Sequence, residues 1–444
     1  MKIREFIAFN ESDGAYPFKL KFRKPKGMRD NCFSILVGAN GTRKSRTLRD
    51  IVDIVVPRPS SDSTYIEGKG GQIRLWEQAI IPHVIAVSGV ATDRFPSRMN
   101  AKRLGRTRAS YSYIGPRTDN NLVSRVQSVQ QVAAAILAES NALSIRAVGL
   151  RSAFSTLKLA PYIYFYVEVD ELAGGSWSLA RLKSVIDSSR LSLSANVLSG
   201  DILQRSVRFL RAKKSARIHV DLHDKCTLDT GPAEPDVLQV LLQLGVLRVK
   251  RCNGLDSVGA TVDLTQLSSG QWHLLSSLIF VAATVTDGTL VLVDEPENSL
   301  HPAWQQEYLP LLQKAISTSK GVHVVVSTHS PHVASSLSSD IAEVIALSWS
   351  RSRVRSKPLV SGPYGWAADN ILRVVFGLES TRSRDFTKQI DTALKLFSKG
   401  NRKDPLLVKK VRALAQIVGE LPNDDAVREV IQTMSALVEM EVED

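Results

Sequence analysis

Cysteine is scarce in this chain: Cys32, Cys226 and Cys252 lie far apart and without a CxxC spacing. That excludes a disulfide framework and a cysteine-based zinc site, and the thiols read as reduced. Long apolar runs are also missing. None approaches the ~20 residues needed to span a bilayer, and the opening residues MKIRE lack the apolar core of a signal peptide. A cytoplasmic protein with no membrane contact is the expectation. Acidic residues fall short of basic ones, 44 against 57, giving a formal net charge of +13. Such an excess predicts attraction to a polyanion or to an acidic partner. No heptad pattern is sustained over several turns, which argues against a long coiled-coil arm. Internal repeats and low-complexity tracts are absent too.

What remains is a globular composition, with 43% hydrophobic residues over 444 positions, ample for a buried core. Alternating or buried strand patterns occur at residues 2–9, 18–23 and 33–37, followed by a helical spacing of Leu48, Ile51, Ile54 and Val55. Residues 57–235 are the least legible and read as a large inserted subdomain, α/β or helical. They hold an apolar run at 83–90 and helical patterns around 122–150 and 179–210. From 235 onward helices (235–244, 270–286, 302–317) alternate with strands (247–250, 261–264, 289–293, 323–327). That alternation means a parallel sheet covered by helices. The tail, residues 351–444, reads as a helical region, with candidates at 370–376, 386–397, 406–418 and 425–438.

Four segments carry chemistry. The stretch Gly38-Ala39-Asn40-Gly41-Thr42-Arg43-Lys44-Ser45 fits GxxxxGK[ST], except that Arg43 stands where the last glycine belongs. A buried strand ends at Val37, so backbone N–H groups of the loop can wrap a β-phosphate, Lys44 can reach the β/γ oxygens, and the Ser45 hydroxyl can sit on Mg²⁺. A chance turn is the bland alternative, and Arg43 keeps it open. The second segment, Thr289-Leu290-Val291-Leu292-Val293-Asp294-Glu295, is an apolar strand whose two acids emerge at a sheet edge. There Asp294 would hold Mg²⁺ through its water shell and Glu295 would polarise an attacking water. Third, a strand ends in Ser327-Thr328-His329-Ser330-Pro331, placing His329 near a γ-phosphate. Fourth, Leu267-Ser268-Ser269-Gly270-Gln271 opens a helix with free N–H groups.

In order and spacing, the loop at 38, LSSGQ at 267, LVLVDE at 290 and THS at 328 resemble the ABC-type ATPases. DEPENSLHP followed by STHSP is similar to the soluble bacterial branch that includes the overcoming-lysogenization-defect (OLD), RecF and PtuA-like ATPases of anti-phage defence. The resemblance covers residues 1–56 and 236–350 and, weakly, the tail around Gly365–Arg382. It implies an α/β fold, an ABC-type P-loop ATPase head with a mixed sheet flanked by helices. ATP and Mg²⁺ are the implied cofactors. Two heads would pack head-to-tail, with Ser268, Ser269 and Gly270 of one closing on the nucleotide held by Asn40, Gly41, Thr42, Arg43, Lys44 and Ser45 of the other. Residues 298–300 match the loop that crosses such an interface. Two departures stand out: Arg43, expected to slow turnover, and the lack of a recognisable glutamine loop, whose work should fall between 84 and 95. The tail has no strand-borne Glu and Asp-x-Asp pair, so nuclease activity in this chain is not expected.

Two basic clusters suit phosphate contacts to DNA or RNA. One holds Arg94, Arg98, Lys102, Arg103, Arg106, Arg108, Arg117 and Arg125, with Tyr111 and Tyr113 interleaved as candidate base-stacking groups. The other holds Arg205, Arg208, Arg211, Lys213, Lys214 and Arg217. A solvated face or a dock for an acidic protein is the alternative for both. The reading carried forward is a dimerising ATPase that senses or regulates for an anti-phage system through a separate effector such as an HNH nuclease. A RecF-like DNA repair ATPase and an ATP-binding scaffold with little turnover are the competitors.

Overall fold

The computed structural model describes residues 2–9, 18–27, 29–56, 64–68, 70–77, 82–96, 110–116, 125–138, 140–170, 176–188, 200–223, 227–350, 353–360 and 362–443. Two compact units emerge, residues 1–368 and 369–444.

The first unit is built on a seven-stranded sheet in the order β16-β15-β3-β14-β13-β6-β7. Its centre is β3 (Cys32–Gly38), β14 (His323–Thr328), β13 (Leu290–Asp294) and β6 (His83–Ser88), and all neighbours here run parallel. Every residue of β6, β13 and β14 is buried. Short Val- and Ile-rich runs of this kind have no polar face, so they settle where helices cover both sides. Flanking them are β7 (Ser110–Ile114), parallel to β6, and β15 (Ala342–Ser350), parallel to β3. The edge strand β16 (Arg353–Pro358) turns back antiparallel on β15. Helix α1 (Lys44–Val55) packs beneath β13 and β14. Its Leu48, Ile51 and Val52 share a core with Leu36, Leu292, Val325, Ile345 and Leu347.

Residues 57–235 are not a separate inserted body. A four-stranded antiparallel sheet, β2-β1-β5-β4, joins β1 (Ile3–Ala8) and β2 (Phe18–Lys21) to β4 (Tyr65–Gly68) and β5 (Gly71–Leu75). The run at 83–90 becomes a central strand of the main sheet. Local periodicity shows that a segment is a strand but not which distant strand it pairs with, and here Ile85 meets Val291. Helices α2 (Arg125–Ala138) and α3 (Ser140–Thr156) pack on α7 (Ser269–Thr284), and α3 also packs on α8 (Pro302–Ala315). A third sheet, β10-β9-β8-β11-β12, is centred on β8 (Leu159–Val169) and β11 (Leu247–Asp256), with β10 (Thr227–Asp229) and β12 (Thr261–Asp263) at its edges. It includes β9 (Ser215–Asp221), which follows helix α5 (Gly200–Ala212). Strand β8 was not anticipated: its alternation Ile163, Phe165, Val167 inward against Tyr162, Tyr164, Tyr166 is aromatic on both faces and hides the period.

The helical tail starts later than 351, because Arg353–Pro358 pairs with β15 and its alternate half-burial makes it an edge strand. The second unit contains α11 (Arg384–Phe397), α12 (Pro405–Ile417) and α13 (Ala426–Glu443), around a core of Ile390, Leu407, Val411, Leu414, Ile431 and Met434. Arg382 closes it with two hydrogen bonds to the Asp425 carboxylate, at 2.7 and 2.8 Å.

Candidate functional site

At the C-terminal end of β3 the chain turns through Gly38–Ser45 into α1. A Cβ on Gly38 would lie 2.2 Å from the Leu347 carbonyl oxygen, so only glycine fits between β3 and β15. Arg43 is left-handed, with φ 69° and ψ 13°, the backbone region that the consensus glycine would enter freely. The turn is therefore kept at a cost of about 1–2 kcal/mol. The Arg43 guanidinium lies over the Phe18 ring, 5.9 Å from its centroid, a contact worth roughly 0.5–1 kcal/mol. No side chain caps α1. Its first N–H groups are thus left for an anion. Thr42 Oγ1 ties the loop by donating to the Ala39 carbonyl at 2.8 Å. Lys44 Nζ curls back onto the carbonyls of Gly38 (2.9 Å) and Ala39 (3.2 Å). Burial pulls its pKa down to about 8, held up in part by Glu295 and Glu297.

Asp294, the last residue of β13, sits in register between Ser327 and Ser88 on the neighbouring strands. Its Oδ1 accepts a hydrogen bond from the Ser327 hydroxyl. Burial raises its carboxyl to about 6, against the pull of bonds from Ser327 and Ser45. One carboxylate and the Ser45 hydroxyl form a hard oxygen pair, the set Mg²⁺ takes when phosphate and water supply the rest. Glu295 leaves the strand at φ 47°, its N–H donating to the Ser327 carbonyl at 2.9 Å. His329 connects the two sides of the site. Its Nδ1 is 3.5 Å from Lys44 Nζ and its Nε2 is 3.7 Å from Glu295 Oε1. Burial, aided by Lys44, lowers the His329 pKa to about 4. A neutral ring with Nδ1 accepting from the ammonium carries its proton on Nε2, facing the carboxylate.

Sequence reasoning did not single out Glu297. Its Oε1 accepts from the His329 N–H, while Oε2 is buried with no partner among the described residues. The span 84–95 places Gly89 against the same turn: Gly89 N–H donates to the Asp294 carbonyl at 2.9 Å and Asn298 Nδ2 donates to the Gly89 carbonyl at 2.6 Å. Further along, Asp93 is buried, accepting from Tyr113 (2.6 Å) and the Phe95 N–H (2.9 Å). Its charge also raises the Asp294 pKa. No glutamine lies in that span.

The serine-glycine segment forms a second group. Ser268 caps α7 through a reciprocal pair with Gln271, at 3.2 and 2.9 Å. Ser269 opens the helix. A Cβ on Gly270 would meet the Ser299 carbonyl oxygen at 2.1 Å, so the 298–300 turn rests directly on this helix start. Arg125 donates to the carbonyls of Thr265 and Leu267, at 2.6 and 2.5 Å, fixing the approach to α7. It acts as a structural pin. Among the described residues no hydrogen bond joins this group to Lys44.

Arg98, Lys102, Arg103, Arg106, Arg108 and Arg117 lie outside the described residues. Of the tyrosines beside them, Tyr113 is buried, and the partly buried Tyr111 donates its hydroxyl to the Pro96 carbonyl at 2.7 Å. In the second cluster Arg208 and Arg211 are exposed on α5, Lys213 and Lys214 on the turn after it, and Arg217 on β9. Arg211 also donates to the Trp177 carbonyl at 2.8 Å. Arg205 drops out, neutralised by Asp201, Glu234 and Asp236.

Residues 253–335 match the family described as "AAA domain, putative AbiEii toxin, Type IV TA system". The chain is 34% identical over 96 residues to "Retron Ec83 probable ATPase" of Escherichia coli, covering 19% of this chain and 17% of that protein. It is 34% identical over 105 residues to "Septu protein PtuA" of Bacillus thuringiensis, covering 23% and 25%. The chain thus spans a quarter or less of the length of these relatives. Among solved structures it is similar to the SMC head bound to the C-winged helix domain of ScpA (TM-score 0.34, 12% identity, 80% of this chain and 97% of that one). A second is the SMC head domain from Thermotoga maritima (TM-score 0.31, 11% identity, 81% and 99%). The family match falls on the stretch holding Ser268–Gly270, Asp294, Glu295 and His329, and the sheet sets the last three beside Lys44. On that ground residues 253–335 carry an AAA-type ATPase domain, and the chain is similar over that region to the retron and Septu ATPases.

Proposed function

We propose that this protein binds Mg²⁺-ATP on the loop 38–45 and hydrolyses it in a head-to-tail pair of heads, and that its nucleotide state governs a separate effector in an anti-phage system. The observation that carries the reading is the chain Lys44–His329–Glu295, three side chains from separate elements set within 3.5 and 3.7 Å of one another. Lys44 and the α1 N–H groups would hold the β/γ-phosphates, and Ser45 with Asp294 would hold Mg²⁺, whose charge offsets the negative charge gathering on the transferred group. Glu295 orients and polarises the attacking water. Neutral His329 holds the Glu295 carboxylate on one side and Lys44 on the other, with Glu297 fixing its backbone. Ser268, Ser269 and Gly270 would reach the nucleotide of the second head, which accounts for a capped helix start that makes no hydrogen bond to the loop of its own chain. A helix start of this kind offers N–H groups to an anion.

The two relatives supply the defence reading: one is named for a retron and the other for Septu. A separate nuclease or toxin is the effector class this implies. A RecF-like repair ATPase is the second reading, favoured by the exposed basic side chains of α5. No described helix is long and apolar enough to cross a membrane, and a cytoplasmic site of action goes with the reading. The pairing is tested by light scattering on the Glu295→Gln protein. With Mg²⁺-ATP its mass should double, and with Mg²⁺-ADP it should not. A mass indifferent to nucleotide would remove the head-to-tail arrangement.

A further inference from the structure

Strand β15 runs beside the phosphate loop, and its side chains alternate between the two faces of the sheet. Ile345 and Leu347 point into the core beneath α1, and Leu347 stands in register with Gly38. Trp349 is the next residue on that face. It has passed the end of the core and is 57% exposed, although tryptophan carries the largest apolar surface of any side chain. Single exposed apolar residues are ordinary on protein surfaces. The place of this one is not ordinary. A Cβ built on Gly41 would lie 4.0 Å from the indole Nε1, so the ring flanks the tip of the loop that the phosphates would occupy. Glycine at 41, with φ 80°, keeps that flank clear. The Arg43 guanidinium, lying over the ring of the buried Phe18, is a second flat group on the loop. The indole N–H has no hydrogen-bond partner among the described residues.

We infer that Trp349 is the base-binding platform of the nucleotide site, stacking its indole on the purine of the bound nucleoside triphosphate. The inference rests on the nucleotide reading given above and adds what that reading lacks, a contact to the base. It commits to chemistry as well: a bare aromatic face selects for a nucleobase over none, but separates adenine from guanine only weakly, because every base has a π-face. Phosphate affinity and base affinity then reside on different elements, the loop 38–45 and the end of β15.

The test is calorimetric titration of the full-length protein with Mg²⁺-ATP and with Mg²⁺-tripolyphosphate, for the wild type, Trp349→Phe and Trp349→Ala. Stacking on one aromatic ring predicts a loss of about tenfold in ATP affinity for Trp349→Ala. Tripolyphosphate affinity should be unchanged, and Trp349→Phe should stay within about threefold of wild type. ATP should quench part of the tryptophan emission in the wild type, and that part should vanish in both variants. An unchanged ATP affinity in Trp349→Ala overturns the platform while leaving the nucleotide reading intact. Equal losses for ATP and tripolyphosphate overturn it too, because they would mean a disturbed loop. A wild type that binds neither ligand would instead overturn the nucleotide reading and the platform with it.

Discussion

Arg43 occupies a backbone conformation suited to glycine, and the loop keeps its turn regardless. From the motif alone the substitution implied altered geometry and slow turnover. The left-handed φ of 69° puts the departure in local strain instead, offset in part by the contact with Phe18. Lys44 Nζ remains bonded to the loop carbonyls of Gly38 and Ala39. Asp294 carries a different cost. Its folded carboxyl is raised from 3.8 to about 6 by burial, so its contribution to stability is complete below about pH 4 and is lost as pH climbs through 6. Without nucleotide or metal, Asp294→Asn should therefore be the more stable protein at pH 8, by on the order of 1–3 kcal/mol. The difference should shrink towards pH 4. Urea melts in chelator at pH 5 and pH 8 measure this, and a variant less stable than wild type at both pH values would show that the carboxylate is not held at a cost.

At the scale of elements, the helices that carry the site are set by close approaches. Gly149 of α3 is the clearest: an added Cβ would sit 2.6 Å from the backbone carbonyl carbon of Lys314 in α8. In an open helix, glycine to alanine gains about 0.5–1 kcal/mol. Here the clash is with backbone, and Gly149→Ala should cost about 1–3 kcal/mol net, read as a lowered Tm. A raised Tm would mean that the two helices do not meet this closely. The same geometry explains what was legible in the sequence. Strands β3, β13 and β14 and the helices after the first two were readable because continuous apolar runs ending in Gly, Asp-Glu and Ser-Thr-His encode both the strand and its chemistry. Glu297 and Asp93 were not singled out, since their roles come from burial against His329 and Tyr113. Trp349 was invisible for the same kind of reason: its meaning depends on β15 lying beside β3, a pairing between residues more than 300 positions apart.

At the scale of the molecule, the segment that looked like an insertion is the part that makes the first unit whole. It supplies β6 beside the Asp294 strand, α2 and α3 against α7, and Arg125 behind the Ser268 helix start. The basic excess is expressed partly as structural pins, such as Arg125 and Arg205, and partly as the exposed side of α5. What the whole assembly is for is decided at Glu295. Steady-state phosphate release from Mg²⁺-ATP, compared between wild type and Glu295→Gln at equal nucleotide affinity, measures that directly. Loss of a positioned general base predicts a fall of about 10²–10⁴-fold. Equal rates in the two proteins would contradict hydrolysis at this site and leave an ATP-binding scaffold.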